Sequence, residues 1–255
     1  MGITNQLIFD FKADLSSIPI PERLNNPFGT KIPKVARIAA EEFQEFIAKE
    51  SQSWDYDFAK LNGKMFGILV VQKQDKSYGY LGTNSGRTAE DESCRQFVPS
   101  IFDAAADDYF LDKGMAVLAK ITDEINATRD AVEVEALKER RKKKSFGLQE
   151  QLFSHYDFLN VGGKQRNIVD VFANSTHGRP PSAAGECAAP KLLQYAFEHN
   201  LKPIALAEFW WGNSLKNKER KHKVFYPACK NKCRPILEFM LDDAGLYERA
   251  NPDLI

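Results

Sequence analysis

The stretch "KMFGILVVQKQDKSYGYLGTNSG", Lys64 to Gly86, most narrows what this chain can fold into. Two apolar runs rich in Val, Ile, Phe and Tyr flank the polar turn "QKQDKS", a pattern that predicts a β-hairpin. Upstream, "VARIAAEEFQEFIAKE" places Val35, Ile38, Ala39, Phe43, Phe46 and Ile47 at helical spacing, so one amphipathic helix follows a proline-rich extended segment. A helix and a hairpin side by side predict an α/β or α+β fold. With 43% hydrophobic residues in 255, the chain can bury a real core.

The longest apolar run, Met65 to Val71, is far below the roughly 20 residues that a membrane helix needs. The opening "MGITNQ" matches neither a secretory signal nor a myristoylation motif, so a cytoplasmic location without membrane contact is expected. From Phe97 to Gln151 no proline follows Pro99, and Leu118, Ile121, Ile125, Val132 and Leu137 keep helical spacing among charges. That predicts a long central helix, coiled-coil-like and paired with a neighbour, that ends in a basic cluster. A short helix over "LQEQLFSHYDFL" and a turn at "NVGGKQRN" come next. The last third predicts a helix at "PKLLQYAFEHN" with Pro190 in its first turn, a strand at "KPIALAEFWWG" and a final helix in "FYPACKNKCRPILEFML". Alternation along that strand sends one of Trp210 and Trp211 to the core and the other outward, where it can stack on a base. Three stretches result: 1–100, 101–160 and 161–255.

Charge is balanced overall, 35 Lys and Arg against 35 Asp and Glu, but unevenly spread. From Lys138 to Arg234 there are 19 basic and 8 acidic residues, concentrated in "KERRKKK" and "KNKERKHK". Such runs fit solvated helix faces, and they also attract phosphate backbones. Lys142, Lys143, Lys144, Arg220, Lys221 and Arg234 are the candidate RNA contacts.

Four cysteines, Cys94, Cys187, Cys229 and Cys233, are too few for a disulfide framework in a chain of this length. Reduced thiols or metal ligands fit better. A Cys at a helix start, then a strand, then a Cys pair opening a second helix resembles the zinc-dependent nucleobase deaminases. Cys187, Cys229 and Cys233 are then the zinc ligands; buried thiols packing a helix interface are the alternative. The pattern departs from deaminases in two ways. Ala189 stands where their general-base Glu would be, and three residues rather than two separate the cysteine pair. The loop "THGRPPSAAGEC" supplies His177, Arg179 and Glu186 as catalytic candidates, expected together at one surface site, with Glu186 or His177 as the proton carrier.

Five blocks, "GKMFGILVV", "RKKKSFGLQEQLFSHYDFLN", "HGRPPSAAGECAAPKLLQYAF", "LKPIALAEFWWG" and "FYPACKNKCRPILEFML", resemble the amino-terminal region of long bacterial RluA-type RNA pseudouridine synthases. The resemblance implies a role in isomerising uridine in rRNA or tRNA, without a metal or organic cofactor. Those enzymes use the Asp of a His-Arg-Leu-Asp motif, a tetrapeptide this chain lacks. The resemblance therefore implies an accessory, RNA-binding domain whose partners are RNA and, if the chain is a fragment, a C-terminal catalytic domain.

Overall fold

The predicted hairpin forms. In the computed structural model, which describes residues 7–51, 63–86, 96–102, 110–173, 175–176, 178–214 and 219–242, β2 (Lys64–Gln72) pairs antiparallel with β3 (Tyr78–Asn84). Strand β6 (Lys202–Trp211) runs antiparallel along the other edge of β2, and the short β1 (Phe9–Asp10) pairs with β3. The sheet order is β1-β3-β2-β6. The first and third stretches of the chain thus build one sheet, giving a mixed α/β fold.

A continuous apolar run such as β2 suits a strand covered on both faces, and helices cover both. On one side α1 (Lys34–Glu50) sets Val35, Ala36, Ala39, Phe43 and Ile47 against Phe66, Ile68, Val70, Ala207 and Phe209. On the other, Leu192, Leu193 and Ala196 of α5 (Ala188–Glu198) meet Leu69, Val71, Leu81 and Leu206, joined by Ile236, Leu237 and Met240 of α6 (Arg234–Met240). Each large side chain buried this way contributes about 1.5–3 kcal/mol. Two covered faces also explain the tryptophans, since Trp210 and Trp211 are both buried. Neither points outward to stack on a base.

The central region is two helices rather than one, α2 (Phe110–Ala127) and α3 (Ala131–Phe153). Asp130 breaks the run: its extended backbone cannot continue a helix, and its carboxylate caps α3 by accepting from the N–H groups of Val132 and Glu133. The two helices pair antiparallel, with Arg140 3.3 Å from Glu124 and Arg141 bonded to Thr122. The helix expected over "LQEQLFSHYDFL" is only the end of α3. Beyond it come a three-residue hairpin, β4 (Asp157–Leu159) with β5 (Gln165–Asn167), and the short α4 (Ile168–Ala173). Asn167 locks that corner by donating to the carbonyls of Phe153 and Tyr156 and to Asp157. Among the described residues no helix is long and apolar enough to cross a membrane.

Candidate metal centre

Three cysteines distant in sequence converge where α5 and α6 begin. Cys187 is the N-cap of α5, Cys229 lies in the segment that leads into α6, and Cys233 is the N-cap of α6. Their sulfurs all lie within 4.8 Å of one another, and those of Cys229 and Cys233 are 3.3 Å apart. Tetrahedral zinc with Zn–S bonds of about 2.3 Å sets sulfurs about 3.8 Å apart, so the cluster fits zinc in number, donor type and size. Cys233 is buried, Cys187 half-buried and Cys229 exposed, which opens the cluster to solvent at one corner. Cys94 lies outside the described residues.

Three thiols in mutual contact do not ionise alike. Contacts with the Cys187 and Cys233 thiols, and to a lesser degree the backbone N–H groups of Lys232 and Cys233, favour charge on the Cys229 sulfur, so its thiol falls far below its ordinary range. The same charge, with burial, pushes Cys187 and Cys233 up. A bound cation reverses that arrangement by stabilising all three thiolates.

The helix bearing Cys187 starts unusually close to the sheet. A methyl on Gly67 of β2 would lie 2.8 Å from the Ala188 Cβ, so only glycine lets α5 approach this far. Beside Gly67 on β6 stands Glu208, only 7% exposed. Its Oε1 accepts from the backbone N–H of Ala189, at 3.3 Å, in the first turn of α5. Burial, reinforced by the charge on Cys229, raises the Glu208 carboxyl to about 7 against the lowering hydrogen bond from Ala189. Sequence reasoning passed over Glu208. The signal was a single carboxylate inside the otherwise apolar "IALAEFWW".

Glu186 is also buried rather than at the surface. The preceding Gly185 adopts φ +93°, which turns the chain inward, and a side chain there would meet the Tyr156 ring at 2.7 Å. Glu186 bonds through Oε1 to the Tyr156 hydroxyl, and its buried Oε2 has no hydrogen-bond partner among the described residues. Lys191, 1% exposed, donates to the Gly86 carbonyl at 3.0 Å, while the Gly86 N–H donates to the Glu186 carbonyl. These bonds tie the end of β3 to the turn that carries Cys187. Burial pulls the Lys191 ammonium down to about 8.

The other candidates sit apart from the thiols or flank them. His177 lies outside the described residues. Arg179 is exposed, its guanidinium 4.7 Å from the Phe146 ring centroid on α3, whereas Glu186 is buried. Lys142, Lys143 and Lys144 are exposed on α3, Lys142 paired with Glu139 at 3.6 Å. Arg220 stacks on Tyr226, whose hydroxyl accepts from the Lys221 N–H. Arg234 follows Cys233 directly and stacks on Phe28.

No family model matches the chain, and neither a curated protein nor a solved structure matches it.

Proposed function

We propose that this chain is a zinc-dependent hydrolytic enzyme of the deaminase-like type, with Cys187, Cys229 and Cys233 holding the metal. The observation that carries the reading is the convergence of the three sulfurs within 4.8 Å at two helix starts. Zinc held there would supply a Lewis acid and acidify a water in its fourth position. Glu208 is the proton carrier: its buried carboxylate lies at the α5 turn where Ala189 leaves the deaminase position vacant, and its raised proton affinity suits transfer near neutral pH. It would take a proton from the attacking water onto a carboxylate oxygen and return it to the leaving nitrogen. The Ala189 N–H keeps that carboxylate oriented. Glu186 and Lys191 hold the Cys187 turn against β3. The test is metal content of the purified chain, followed by ammonia release from cytidine, adenosine and guanosine by the zinc-loaded protein. A stably folded chain that takes up no zinc even when zinc is supplied refutes the reading; zinc without ammonia release confines it to the metal site.

A second reading, an RNA-contacting accessory domain of a pseudouridine synthase, is supported by α3. Arg140, Arg141, Lys142, Lys143 and Lys144 are all exposed on this helix, whose buried residue is Phe153 at its far end. Binding of structured RNA that falls steeply with salt is the expected result; salt-insensitive or absent binding contradicts it.

A further inference from the structure

A cleft of about 550 Å³ opens beside the thiol cluster, with Arg166 of β5, Lys230, Arg234 and Phe239 among its walls. Ser175 and Thr176, at the start of the loop that leads to Cys187, also line it. Lys230 follows Cys229 and Arg234 follows Cys233, so the same turn that gathers the thiols delivers two cations to the cleft.

Both guanidiniums are held by their faces. Arg166 lies 4.8 Å from the centroid of Phe239, and Arg234 lies 4.8 Å from that of Phe28. Stacking on a ring uses the plane of a guanidinium and leaves its N–H edge for a planar or tetrahedral oxyanion. Among the described residues no acceptor is hydrogen-bonded to either edge, and Arg234 has one loose ion pair, to Glu238. The Arg234 Nε is buried with no hydrogen-bond partner among the described residues, and the Glu238 oxygen of that ion pair is 3.9 Å from Nη1, beyond hydrogen-bond distance. Among the described residues no carboxylate pairs with Arg166. Glu238 and Asp242 also line the cleft. Its field is therefore not uniformly positive, which favours a compact anion with several acceptor oxygens over a diffuse acidic surface.

We propose that this cleft binds a phosphate group, with Arg166 and Arg234 as paired forks and Lys230 as a point charge. The phosphate belongs either to a small phosphorylated ligand or to an RNA backbone, and in either case the rest of the ligand is anchored beside the thiol cluster. Among the described residues no cysteine lines the cleft, so phosphate binding is expected with or without zinc.

The test is titration of the full chain, metal-free and zinc-loaded, with inorganic phosphate, uridine 5′-monophosphate and a short single-stranded oligouridine, followed by calorimetry. Saturable binding is expected in both metal forms, weakened about tenfold in Arg166→Ala, with partial recovery in Arg166→Lys. Lys120→Ala, at an exposed position on α2, leaves phosphate and monophosphate binding unchanged. Binding of the two small probes identifies a small phosphorylated ligand; binding of oligouridine alone, still sensitive to Arg166, identifies RNA. Absence of binding by all three probes, or binding that Arg166→Ala leaves intact, overturns the proposal. Binding in a protein that holds no zinc separates this result from failure of the metal centre.

Discussion

The Glu208 carboxylate on β6 and the Ala189 N–H on α5 meet at 3.3 Å, joining strand and helix within the first turn behind Cys187. In the arrangement that the cysteine order resembles, the helix itself carries the carboxylate. Here the strand supplies one to the same turn.

A pH dependence follows from its burial. Burial pushes the native Glu208 carboxyl up to about 7, against 4.5 for an ordinary Glu. Between those values the native state keeps a proton that the unfolded chain has released, so stability falls as pH rises through this window. Above about 7 the cost is constant at roughly 3 kcal/mol. Urea midpoints of metal-free protein from pH 4.5 to 8 should show wild type losing ground to Glu208→Gln across the window. Parallel curves would contradict the assigned burial.

Lys191 has the opposite sign. Burial pulls its ammonium down to about 8 in the native state against an ordinary 10.5, so the native chain sheds its proton first and stability rises with pH between those values. Replacing it, Lys191→Met, should abolish that rise relative to wild type, read as the difference in denaturation midpoints from pH 7 to 10.

Two glycines separate metal affinity from stability. A methyl at Gly82 would sit 2.3 Å from the Phe43 ring on the α1 side of the sheet, and one at Gly67 would sit 2.8 Å from Ala188. Both substitutions to Ala overpack the core, at about 1–3 kcal/mol each. Only Gly67→Ala displaces the start of α5, so it should also weaken zinc binding, while Gly82→Ala leaves zinc affinity at the wild-type value. Competition with a chromogenic chelator measures both.

The α3 run offers a test of RNA binding that leaves the thiols untouched. Reversing Lys142, Lys143 and Lys144 together to Glu should lower RNA affinity and flatten its dependence on salt, since fewer counterions are released. Filter binding at two salt concentrations distinguishes this from an inert, solvated face.

Much of the architecture was legible because it is periodic. The helical spacing from Val35 to Ile47, the paired apolar runs around "QKQDKS" and the apolar strand before Gly212 all form where expected. The pairing of β2 with β6 was not legible, since nothing local in "KMFGILVV" names a partner some 130 residues away. Three-residue strands such as β4 and β5 are too short to show alternation, and a single Asp130 was enough to divide the central helix. The cysteine triplet could be read from order and spacing. Its carboxylate neighbour could not, because Glu208 reaches Ala189 across a strand-to-helix contact that only the folded sheet creates.

The measurement that bears most directly on the metal centre is zinc per chain, by mass spectrometry of protein purified without chelator, in wild type and Cys229→Ala. One equivalent in wild type, lost in the folded variant, is the predicted result. A wild-type chain that folds stably and holds no zinc even when dialysed against it would contradict the account.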